Sequence, residues 1–165
     1  MRRFSVVLLS VLAVGLALLV RAVRNKPSLR DSIGSAAPSM EVFTASGRVD
    51  LRSLIREQTT VVVYSPTCPH CERQLNAITK TPPPASVSVI LVRLLTDSQS
   101  VDTSSFVTLA PRVYSVGARA SSVASNLKVS LVPTSYVFDA SKIVRRAYAG
   151  ATRTDSLYQP VDVMK

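Results

Sequence analysis

Residues 59–75 read TTVVVYSPTCPHCERQL, and the order of signals within them decides the fold. Thr59–Tyr64 is a β-branched, apolar run without alternation, the pattern of a central strand covered on both faces. Pro66 stops it. Pro69 falls in the first turn of a helix predicted to continue to about Lys80, where a missing N–H costs little. Between strand and helix lie the chain's two cysteines, in the sequence Cys68-Pro69-His70-Cys71.

A thiol at a helix N-terminus faces unpaired backbone N–H groups and the positive end of the helix dipole, and both favour thiolate over thiol. Cys68 is therefore the expected nucleophile. Cys71, one turn further in, is placed to attack a mixed disulfide at Cys68 and release the substrate. His70 is the sole histidine. Its imidazolium, set between the cysteines, would stabilise the thiolate further and make the disulfide more oxidising. Strong and weak thiol oxidants differ by roughly 150 mV, or about 7 kcal/mol for two electrons, and Pro69 and His70 supply part of such a difference, so the dipeptide alone leaves the direction of exchange open.

Other uses of the pair compete. A structural disulfide closing so small a loop gains little entropy. Zinc normally takes four ligands, and only Cys68, Cys71 and His70 are on offer. Haem attachment needs a histidine after the second cysteine, where Glu72 stands. Redox exchange leads, with transient metal handling second. No resident metal or other cofactor is expected.

Outward from this centre, Met40–Phe43 is a short apolar stretch followed by a turn at Ser46-Gly47, and Leu51–Arg56 reads as helical. Ser88–Leu95 is a second continuous apolar strand. Ser100–Leu109 is expected to be a helix, Arg112–Val116 a short extended segment and Ser121–Leu127 a short helix. Thr134–Phe138 and Ile143–Tyr148, joined by a turn at Asp139–Ser141, close the chain as a hairpin. Strand, helix, strand, helix, hairpin implies a mixed sheet flanked by helices. Pro133 opens a buried strand, a place proline tolerates because it donates nothing to a ladder.

Taken together, YSPTCPHC and, about 60 residues on, KVSLVPTSYVFDASKIVRRAYAG resemble the thioredoxin superfamily, most closely its membrane-tethered TlpA-like and ResA-like branch. The likeness runs over roughly residues 38–154. It implies an α/β thioredoxin-like fold with a mixed central β-sheet flanked by helices, catalysis by Cys68 and Cys71, and a cis Val132–Pro133 bond beside the disulfide. It further implies that Val132, Pro133 and Thr134 bind an extended stretch of substrate as an added strand. Two positions depart from the family pattern: Thr67 stands where a tryptophan often precedes the first cysteine, and Val62 stands where thioredoxins carry a buried acid.

Phe4–Val20 runs 17 residues without a charge, between Arg2-Arg3 and a basic flank of Arg21, Arg24, Lys26 and Arg30. As a helix it would span roughly 26 Å, near the thin end of a hydrocarbon core, with the flanking arginines snorkelling. Residues 1–24 are thus expected to be a transmembrane anchor, a cleaved signal peptide being the other reading. Residues 25–38, rich in Pro, Ser, Ala and Gly, are expected to be a linker, and residues 39–165 the folded domain. Basic residues on both flanks leave orientation undecided by charge.

The net charge is +10 overall, and the 16 basic and 10 acidic side chains of residues 25–165 leave +6. These charges are scattered rather than striped and carry no interleaved aromatics, so nucleic acid is not an expected partner. The partners expected are protein thiols and disulfides, a redox partner protein, and a membrane through residues 4–20. Cysteines confined to one redox pair fit a domain on the extracytoplasmic, periplasmic side. The leading expectation is a thiol:disulfide oxidoreductase, and the alternative is a Cu(I)-handling metallochaperone, since soft Cu(I) suits thiolates.

Overall fold

The computed structural model describes residues 29–161. Eight strands form one sheet: β1 (Glu41–Thr44), β2 (Gly47–Asp50), β3 (Gln58–Tyr64), β4 (Val87–Leu95), β5 (Thr108–Ala110), β6 (Val113–Arg119), β7 (Thr134–Phe138) and β8 (Val144–Ala149). The helices are α1 (Leu51–Leu54), α2 (Pro69–Lys80), α3 (Ala120–Asn126) and α4 (Thr154–Tyr158). The order across the sheet is β2-β1-β6-β4-β3-β7-β8, with β5 also paired to β6. β3 and β4 run parallel, as do β4 and β6, while β3–β7 and β7–β8 are antiparallel. The expected mixed sheet is therefore present.

β3 is central because its side chains are apolar on both faces. Val61 and Val63 join Ile90, Val92, Tyr136 and Phe138 in one buried cluster, which also takes in Leu51 of α1 and Val123 of α3. Val62 points the other way, into a cluster with Leu91, Ile78 of α2 and Leu157 of α4. Two helix layers thus enclose one sheet, and the carboxyl end of β3 delivers the chain directly into α2.

Three expectations need correction. The helix expected over Ser100–Leu109 does not form. Asp102 caps a single 3-10 turn at Thr103–Ser105 by accepting the Ser104 backbone N–H at 3.0 Å, and the chain then becomes β5. Val101, Thr103, Val107 and Thr108 are β-branched, and serines compete locally for backbone hydrogen bonds, so helix propensity is weak. Tertiary packing decides the outcome: the Phe106 ring lies on Gly117 of β6, where an added Cβ would collide with its Cζ. Phe106 is buried there with Phe43 and Leu95.

The linker expected over residues 25–38 is, from residue 29 onward, part of the folded body. Ala36 bridges Ile143, Gly34 N–H donates to the Val144 carbonyl at 2.8 Å, and Ala37 N–H to that of Lys142 at 2.7 Å. Polar, small residues suit such a docked edge because these hydrogen bonds are main-chain. The helix expected to reach Arg56 stops at Leu54, and the residues just before it, 47–50, form β2, which pairs back on β1. Residues 1–28, including the expected anchor at 4–20, lie outside the described residues. Among the described residues no helix is long and apolar enough to cross a membrane.

Candidate active site: the Cys68–Cys71 dithiol

Cys68 is the N-cap of α2 and Pro69 its first helical residue, as the sequence predicts. The N-cap side chain normally accepts a hydrogen bond from the first turn, and here a sulfur does so: Cys71 N–H donates to Cys68 Sγ at 3.3 Å. On its other side the Cys68 thiol donates to the Val132 carbonyl at 3.7 Å. Both cysteines are free thiols, Cys68 half-buried and Cys71 only 1% exposed.

This geometry splits the two thiols. The hydrogen bond from the Cys71 thiol holds Cys68 below the ordinary thiol range against a modest burial penalty. The backbone N–H groups of Cys71 and His70 and the Arg73 guanidinium act in the same direction. Burial pushes Cys71 up to about 11, and its hydrogen bond to Cys68 adds to the rise. The half-buried sulfur is therefore the more readily ionised of the two, and the buried one holds its proton at neutral pH.

His70 lies beside a cation of its own helix. Its exposed ring turns to Arg73, whose Nη2 donates to Nδ1 at 2.7 Å. An arginine one turn on supplies the cation, and the backbone N–H of His70 supplies the hydrogen bond. Val132 and Pro133 lie across from Cys68, joined by a cis peptide bond. Thr134 is buried at 1% exposure and donates its hydroxyl to the Leu131 carbonyl at 2.7 Å, which shapes the loop from within. Leu131 itself is 48% exposed beside the site. Val62 is fully buried, so no acid stands at that position of β3.

Sequence reading missed two contributors. Arg73 has no motif of its own and is identified by its partner. Gln74 is buried on the inner face of α2, and its Oε1 accepts Thr152 N–H at 2.5 Å; a buried amide in an otherwise apolar helical face was the available signal. Among the described residues no three His, Cys, Asp or Glu side chains gather into a set able to hold a metal ion. A cavity of about 540 Å³ opens elsewhere, between the β1–β2 turn, Leu54 and Phe106, and contains none of the dithiol residues.

No protein-family model matches the sequence, and no curated protein sequence matches it. Solved structures do. The thioredoxin domain of a thiol-disulfide oxidoreductase from Bacteroides vulgatus superposes with a TM-score of 0.54 at 18% identity, over 76% of this chain and 92% of that one. The fold is thioredoxin-like. Other proteins with this thioredoxin-like fold include StoA from Bacillus subtilis, with a TM-score of 0.53 at 13% identity over 78% of this chain and 97% of that one. Copper-bound ScoI from Arabidopsis thaliana gives 0.57 at 14% identity, over 74% and 92% of the two chains. The matched region therefore spans nearly the whole of each neighbour.

Proposed function

We propose that the protein is a thiol:disulfide oxidoreductase, held at a membrane by residues 4–20, whose domain acts on protein substrates on the extracytoplasmic side. The observation that carries this reading is the split dithiol: a half-exposed sulfur stabilised as thiolate at a helix N-cap, with a buried partner thiol one turn behind it. In the reducing direction, Cys68 thiolate attacks a substrate disulfide, forming a mixed disulfide and expelling one substrate thiolate. Cys71, deprotonated, then attacks Cys68 sulfur, closing the Cys68–Cys71 disulfide and expelling the second thiolate. Two electrons pass to the substrate sulfurs, and the two protons lost by the cysteines are taken up by the released thiolates. The oxidising direction is the same sequence reversed. Val132 offers its backbone beside Cys68, and Pro133 and Thr134 fix that loop, so an extended substrate is received by main-chain pairing.

The test uses insulin as a protein disulfide probe and dithiothreitol as reductant. The full-length chain should speed insulin reduction well above the rate with dithiothreitol alone, and should stay in the membrane fraction after an alkaline carbonate wash. Insulin reduced no faster than in its absence contradicts the catalytic part, and a chain recovered wholly in the wash contradicts the tether.

The copper-bound state of ScoI, on the same fold, favours a second reading in which Cys68 and Cys71 thiolates carry Cu(I) as cargo. With His70 Nδ1 engaged by Arg73, Nε2 is the ring nitrogen that would be open to the ion.

A further inference from the structure

We propose that Gln74 is a positioning residue that clamps the substrate-receiving edge at Val132 to the dithiol helix, and so favours extended peptide disulfides over small ones. The inference rests on the oxidoreductase reading above and deepens it.

The buried residues of α2 are Cys71, Gln74 and Ile78. Gln74 is 2% exposed, and its Nε2 has no hydrogen-bond partner among the described residues. A buried amide with an unspent donor costs about 1–3 kcal/mol, and a methionine would fill similar volume without that cost. Stability therefore does not account for the amide, whereas its one bond does. Gln74 Oε1 accepts the Thr152 N–H at 2.5 Å, across 78 residues of sequence. Two residues before Thr152, Gly150 adopts a φ of +84° and donates its N–H to the Pro133 carbonyl at 2.8 Å. The preceding carbonyl, Val132, faces Cys68 Sγ at 3.7 Å. A closed circuit results, from α2 through Gln74, Thr152, Gly150, Pro133 and Val132 back to Cys68.

The Gln74 bond is the link that ties the loop after β8 to α2. Without it the Val132 edge loses one of its supports against the sulfur. A small disulfide needs only the sulfur, whereas a peptide must lie along the edge while its own sulfur meets Cys68, and misplacement by an ångström is costly to such a reaction.

The experiment compares two disulfides with one leaving group, in the reduced full-length chain: Ellman's reagent, and the 5-thio-2-nitrobenzoate mixed disulfide of an extended cysteine peptide. Each releases the same chromophore when Cys68 attacks. The ratio of the peptide rate constant to the Ellman rate constant should fall about tenfold in Gln74→Met, and be restored in Gln74→Glu, which keeps the acceptor for Thr152. Should Gln74→Met fail to fold, Gln74→Asn, one methylene too short to reach, is expected to show the same fall. A wild-type ratio in the acceptor-deficient variant overturns the clamp while leaving the oxidoreductase reading intact. A wild-type chain that reacts with neither disulfide overturns that reading, and the clamp with it.

Discussion

Cys71→Ser is expected to stall exchange at a mixed disulfide on Cys68, and Cys68→Ser to reduce exchange to the solvent background. The two variants differ because the two sulfurs differ. Cys68 is held below the ordinary thiol range by the Cys71 thiol and by backbone N–H groups at the start of α2, so it attacks at neutral pH. Cys71 is pushed up to about 11 by burial and by its bond to Cys68, and at pH 7 it is almost wholly protonated. Serine at 71 retains a hydroxyl near Cys68 but has no nucleophilic sulfur, so the first step proceeds and the second does not. Intact-mass measurement under non-reducing conditions should find the substrate adduct on Cys71→Ser and none on Cys68→Ser. The same asymmetry fixes a pH profile. Alkylation of Cys68 by iodoacetamide should rise through a midpoint below that of a free thiol, whereas Cys71 should react only as pH approaches about 11. Equal alkylation of both sulfurs at pH 7 would contradict the split on which the proposed chemistry depends.

The largest expected effect on stability lies at the β7–β8 turn, at Arg145. Asp139 is fully buried there, its Oδ2 paired with Arg145 at 2.7 Å and its Oδ1 accepting the Ile143 N–H at 2.9 Å. Burial by itself raises the Asp139 carboxyl, but the Ile143 N–H and the Arg145 guanidinium outweigh it and hold the carboxyl below its usual range. Arg145→Ala removes the counter-charge and leaves a buried carboxylate, at a cost of about 2–4 kcal/mol, somewhat less than for a fully enclosed pair because Arg145 is partly exposed. The sign with pH follows. A carboxyl lowered on folding contributes stability above its unfolded pKa, near 3.9, and loses it as pH falls through the folded value. In Arg145→Ala the carboxyl loses part of what lowers it, so the deficit is greatest at pH 7 and shrinks in acid as the group takes up a proton. Urea unfolding of both proteins at pH 7 and pH 4 measures this. An equal deficit at both values would assign the loss to packing rather than charge.

The features most legible in the sequence were those written locally. TTVVVY followed by Pro66 and by Pro69 specifies strand, stop and helix start within eleven residues, and the structure returns β3 and α2 with the expected boundaries to within a residue. Because the N-cap falls on Cys68, the candidate nucleophile was legible with the fold. What escaped was set across the chain. Phe106 leaves a would-be helix because Gly117, eleven residues later, offers a bare backbone to pack on. Residues 29–38 carry no apolar periodicity, yet they dock through main-chain hydrogen bonds to β8 and the turn before it. In sequence His70 lies between the two cysteines, whereas its ring meets Arg73 across one helical turn. Gln74 has meaning only through Thr152, which no local pattern announces.

Cys68 and Cys71 are expected to form a reversible two-electron couple. Equilibrating the full-length chain in glutathione buffers of graded poise and counting free thiols by alkylation tests it most directly. One transition is expected, in which both thiols appear and disappear together with a two-electron slope, about 30 mV per tenfold change in the oxidised-to-reduced ratio. Thiols that remain free at every oxidising poise, or that become blocked one at a time by glutathione without pairing to each other, would contradict it.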